Sequence, residues 1–71
     1  MLTTGRTYGP KGDALRRAIL RLPKYERLVI MLRYFEDLND PQVAQVLELD
    51  VPTVTLLRER GVRRIREAMD R

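Results

Sequence analysis

The chain contains neither cysteine nor histidine. Those two absences remove disulfides, thiolate nucleophiles, the commonest transition-metal ligands and the one side chain that titrates near neutral pH unaided. A catalytic or metal centre would have to be built from carboxylates and hydroxyls alone, and the adjacent Glu36 and Asp37 point apart on a helix rather than converging. No apolar run is long enough for a signal peptide or a membrane span. The length, 71 residues, allows one domain with a modest core, a stability on the order of a few kcal/mol and no deep catalytic cavity. The expectation is a cytoplasmic protein that is not an enzyme, takes no cofactor or metal and has no membrane partner.

What is present is charge, unevenly placed. The formal charge is +4 with an isoelectric point near 10.1, a balance that favours a polyanionic partner. Between Glu36 and Asp50 every charged residue is acidic, while the segments on either side are rich in arginine and lysine. Residues 1–12 hold three glycines and a proline and read as a flexible arm or linker, leaving 13–71 as the domain.

Hydrophobic spacing predicts an all-α domain of four short helices, since each longer apolar pattern has a period near 3.6 and the breakers fall between them. Asp13 caps a first helix from Ala14 to about Leu22, with Leu15, Ala18, Ile19 and Leu22 on one side. After Pro23 a second runs from Lys24 to about Asp37. Its Leu28, Met31, Leu32 and Phe35 form one stripe and Ile30 and Tyr34 lie opposite, as in a helix sandwiched between neighbours or between a neighbour and a docking partner. Asn39 and Gln42 have capping-box spacing and open a third helix to about Leu47, with Val43, Ala44 and Leu47 inward. The carboxylate of Asp50 is placed to cap the last helix, whose Val54, Leu57, Gly61, Ile65 and Ala68 share a face.

The third and fourth helices, joined by a tight turn, have the pattern of a helix-turn-helix. Ala44 allows close crossing, Leu49 plugs the turn, and Val54 and Leu57 pin the last helix so that its amino-terminal end projects. Helical phase puts Pro52, Thr55, Leu56, Glu59, Arg63 and Arg66 outward and Arg58 at the buried edge, its head snorkelling to water. Such a face fits double-stranded DNA, with Arg63 and Arg66 on phosphates; a solvated basic face with an Arg63–Glu67 pair is the plainer alternative.

Leu22-Pro23, Glu26-Arg27, Val29-Ile30, Leu32-Arg33-Tyr34-Phe35, Leu38, Val43-Ala44, Leu47, Thr53-Val54 and Arg60-Gly61-Val62 with Ile65-Arg66 together resemble region four of sigma-70 family sigma factors. The resemblance spans about residues 13 to 69 and fits better than the LuxR-type response-regulator domain, which shares the Thr-Val pair and the preceding short helix. It implies a transcription-initiation domain that reads an upstream promoter element and docks on the flap of the RNA polymerase beta subunit, with an anti-sigma factor or other regulator as a further partner. Carried over by position, it puts base contacts on Val51, Pro52, Thr55 and Leu56 and backbone contacts or support on Arg33, Asn39 and Gln42.

Three departures from that family's pattern stand out. Charged or amide residues usually occupy several of the base-contacting sites, whereas here Thr55 alone is polar. Gln42 replaces a glutamate that would pair with Arg33, and Glu48 stands at a turn site often held by glycine. A bidentate arginine or amide contact contributes about 1 to 3 kcal/mol of discrimination, whereas Val51, Pro52 and Leu56 offer only apolar contact, chiefly to a thymine methyl. Specificity is therefore expected to be weak or biased to thymine. The rival expectation is a protein-interaction module on the same fold, with Val51 and Leu56 meeting polymerase, a sigma regulator or a second copy, or packing within the domain, and with Ile30 and Tyr34 as a docking face.

Overall fold

A computed structural model of the protein describes residues 10–70, and among these it forms four helices and no strand. Helix α1 runs Pro10–Leu20, α2 Lys24–Tyr34, α3 Asp40–Leu47 and α4 Val51–Met69. The amino-terminal arm lies mostly outside the described residues. Helix α1 opens at Pro10, earlier than Asp13 suggested, because proline is preorganised for a first turn and gives up no needed donor there. Asp13 sits inside that first turn, where it meets the helix dipole instead of capping.

Helix α2 follows the extended Pro23 and ends before the expected Asp37, the chain reversing through Asp37 at φ 60°. Helix α3 opens on the predicted capping box: the Gln42 amide donates to Asn39 Oδ1 and the Asn39 amide to Gln42 Oε1, each at 2.9 Å. Asp50 precedes α4 in extended conformation, but its side chain makes no capping bond, contrary to expectation. Pro52 has no N–H to offer it.

The core is split in two. Val29, Val43, Ala44 and Val54 form one cluster with Leu32, Leu38, Leu47, Leu49 and Leu57 packed around it, which locks α3 and α4 against the middle of α2. Ile19, Leu22 and Ile30 form the second with Val62 and Ile65, which ties α1 to α2 and to the far half of α4. Helix α2 is thus sandwiched, with Val29 facing one cluster and Ile30 the other. Of the expected stripe on α2, Leu32 packs on the first cluster whereas Met31 and Phe35 are exposed, and on α4 Ala68 is exposed too. When both sides of a helix are apolar, spacing does not say which side the neighbours take.

Glycine at position 61 is a packing requirement. A Cβ there would stand 2.9 Å from Ile30 Cγ1, so α2 and α4 approach this closely only because the side chain is missing. Beside it Glu26 is buried, with Arg64 Nε 2.9 Å from Glu26 Oε1 in a contact that is coulombic, its geometry being off the hydrogen-bond axis. From Glu26–Arg64 through Ile30–Gly61, α2 and α4 run antiparallel.

The turn between α3 and α4 passes through Glu48 at φ 59°, ψ 43°, with the Leu49 amide reaching back 2.9 Å to the Ala44 carbonyl. This left-handed conformation costs a residue with a Cβ about 1 to 2 kcal/mol, part of which glycine returns through its larger unfolded-state entropy. Glu48→Gly is expected to stabilise the fold by about 0.5 to 1 kcal/mol. Urea unfolding checks it, and a variant less stable than the parent would show that the turn is not strained.

Candidate nucleic-acid interface

The site is built around a residue that sequence reasoning missed. Asp40, in the first turn of α3, accepts from Arg58 Nε at 3.1 Å and Arg58 Nη2 at 3.1 Å, from Arg33 Nε at 3.2 Å and from the Thr55 hydroxyl at 3.0 Å. One carboxylate therefore joins α2, α3 and the first turns of α4. The hydrogen bond from Arg58 holds its pKa below the ordinary carboxylate value, with smaller help from Thr55 and from the charges of Arg58 and Arg33, against the opposing effect of burial. The same hydrogen bond raises the Arg58 pKa further. The dipole at the start of α3 favours the same negative charge.

This junction alters the roles expected of three residues. Arg58 is an anchored partner rather than a snorkelling edge residue. Arg33 is engaged by Asp40, by the Leu38 carbonyl at 3.4 Å and by the face of Tyr34, 5.6 Å to its centroid, so its guanidinium supports the turn rather than standing free for phosphate. Thr55 is half-buried and its hydroxyl proton goes to Asp40. A buried-edge arginine on α4 and an all-acidic stretch holding the start of α3 were the signals that could have found Asp40.

Around this anchor the remaining predicted residues separate into two sets. Val51, Pro52 and Leu56 are exposed on the first turns of α4, Leu56 with 46% of its surface in water. They form an apolar tip. Farther along the same outward side, Arg63 and Arg66 are exposed, as is Arg60 on the flank. None of these three has an ion pair among the described residues, whereas Arg33, Arg58 and Arg64 do; the Arg63–Glu67 pair does not form. Asn39 and Gln42 spend their carbonyl oxygens on the capping box, which leaves their exposed amide nitrogens as outward donors.

A second surface lies on the other side of α2. Leu15, Ile19, Ile30, Tyr34, Phe35, Val62 and Ile65 line an apolar groove of about 480 Å³, with Arg66 on its rim. Leu15, Ile19 and Phe35 also line an adjoining groove of about 400 Å³ that extends to Leu20 and Met31. Tyr34 stands exposed here as a docking residue should, but Ile30 is buried, its side chain packed against Gly61, and supplies floor rather than surface. Leu15, Leu20 and Phe35 are exposed here and were not among the docking residues expected from the sequence.

A family model described as sigma-70, region 4 matches residues 12–65, well over half of the chain. No curated protein and no solved structure matches. Among the described residues no helix is long and apolar enough to cross a membrane.

Proposed function

The chain belongs to the sigma-70 region 4 family, a family of DNA-binding transcription domains rather than enzymes, and on that premise we propose that it binds double-stranded promoter DNA through α4 while docking on the RNA polymerase beta-subunit flap through the groove beside α2. Such a protein acts in the cytoplasm. The observation that supports the DNA half is the division of labour among arginines. Arg33, Arg58 and Arg64 are consumed by Asp40 and Glu26, while Arg60, Arg63 and Arg66 stand exposed beyond a projecting helix end and have no ion pair among the described residues. Phosphate contacts fix register and supply affinity without reading sequence.

Three such contacts imply a salt slope of about −2.7 in log K against log salt. Affinity for a promoter-length duplex is therefore expected to fall roughly 40-fold between about 50 and 200 mM salt. Fluorescence anisotropy at the two salt concentrations measures it. Absence of binding even at low salt would defeat the DNA reading and favour the rival, in which the apolar tip of Val51, Pro52 and Leu56 meets a protein. That rival draws on one specific observation, that Thr55, the only polar side chain among the base-facing positions, is turned toward Asp40.

A further inference from the structure

We propose that the tip of α4 reads the C5-methyl group of pyrimidines and accepts 5-methylcytosine at least as well as thymine, so that cytosine methylation of a duplex creates a binding site for this protein. The inference rests on the reading that α4 enters the major groove. It adds what that helix recognises there.

The argument begins with hydrogen-bonding groups. In the major groove a thymine presents its methyl and the O4 acceptor, while a cytosine presents the N4 amino donor and, when methylated, an added methyl at the same ring position. Telling the two apart takes a donor aimed at O4 or an acceptor aimed at N4. The tip has no free donor for O4, and the acceptors at or near it, Thr55 Oγ and the Glu59 carboxylate, can favour only the cytosine amino group, so nothing there ranks 5-methylcytosine below thymine. Val51, Pro52 and Leu56 carry no polar side-chain atom, and Pro52 lacks even its backbone N–H. Thr55 would be the one candidate donor, but its proton is held by Asp40 Oδ2 at 3.0 Å, and that carboxylate is itself clamped by Arg58 and Arg33.

What remains is an exposed apolar surface on the leading turns of a helix whose later turns carry unpaired arginines. The cationic flank fits the tip to a polyanion, and the apolar groups that a duplex offers in its major groove are these methyls. Glu59, a turn beyond Thr55, is exposed and can only accept. It therefore gives thymine no advantage, and where it reaches a base it favours the cytosine amino group.

Burying one methyl contributes about 0.8 kcal/mol, close to a fourfold change in affinity. With two or three methyls under the tip the effect reaches roughly 10- to 50-fold. The test compares duplexes of one sequence frame carrying thymine, deoxyuridine, cytosine or 5-methylcytosine at the same positions, titrated against the full chain and against Leu56→Ala. Leu56 is exposed and alanine suits a helix, so this variant keeps the fold.

Thymine is expected to bind at least fivefold tighter than deoxyuridine, and 5-methylcytosine at least fivefold tighter than cytosine, with both gaps narrowed in Leu56→Ala. Equal binding of the thymine and deoxyuridine duplexes overturns the inference and leaves DNA binding standing. A thymine duplex bound well and a 5-methylcytosine duplex bound like cytosine overturns it too, since a hydrogen bond would then be reading the base. Failure to bind any of the four defeats the DNA reading itself.

Discussion

Replacing Asp40 by alanine is expected to destabilise the fold by about 2 to 3 kcal/mol, a large fraction of what a domain of this size has. Removing one member of a buried ion pair costs more than the pair contributes net, because the surviving charge stays desolvated without a partner. Here two survive: Arg58, whose side chain is 25% exposed, and Arg33, 34% exposed. That residual exposure lets both arginines recover some hydration, which keeps the loss below the full cost of breaking a buried pair. The Thr55 hydroxyl also loses its acceptor. Asp40→Asn retains the shape and one acceptor oxygen and is expected to lose about half as much. Urea unfolding of the three proteins measures the order, and an alanine variant as stable as the parent would show that the junction contributes nothing net.

The same carboxylate gives the stability a pH dependence of definite sign. Its pKa is lowered in the folded state, so its contribution is fully present above the unfolded carboxylate value, about 3.9, and is lost as pH falls through the folded value. The gap in stability between the parent and Asp40→Ala is therefore expected to stay constant from about pH 7 to 5 and to close below about pH 4. A gap that did not change through the acid range would mean that the charge of Asp40 is not what holds the junction.

Much of this architecture was legible in the sequence because local chemistry dictates it. The Asn39–Gln42 box and the inward Val43, Ala44 and Val54 are decided within a few residues and stand in the structure as the spacing implied, and the left-handed turn at Glu48 stands where the family resemblance marked a glycine site. Asp40 was not legible, because its partners lie 7, 15 and 18 positions away on two other helices. Its significance arises only when those helices pack. The two apolar sides of α2 were visible but not their assignment, which depends on Gly61 admitting Ile30 to the second cluster, while Phe35, just past the end of the helix, stands exposed. Among the candidate interface residues, helical phase identified the exposed Pro52, Leu56, Arg63 and Arg66, and the family resemblance added Val51; neither could show that Arg33 and Thr55 were already engaged.

The assignment of Phe35 to the surface sets up the second large effect. Phe35→Glu is expected to weaken docking on the polymerase beta flap by at least about 2 kcal/mol, roughly 30-fold, while leaving DNA affinity unchanged. Phe35 is 63% exposed and lines both adjoining grooves, so it has the position of an anchor that a partner would cover. Its exposure also means that the core does not depend on it, and the substitution should fold like the parent. Leu15, Leu20, Met31 and Tyr34 extend the apolar surface around it. A carboxylate placed among them must be desolvated by any apolar segment that docks. Arg66 marks where the two proposed surfaces meet, since it borders the groove and also stands on the cationic side of α4. Surface-immobilised flap domain titrated with Phe35→Glu and with Arg66→Glu separates the functions: the first should lose flap binding alone, and the second should lose DNA affinity. Undiminished flap binding by Phe35→Glu would place the docking contact elsewhere on the molecule.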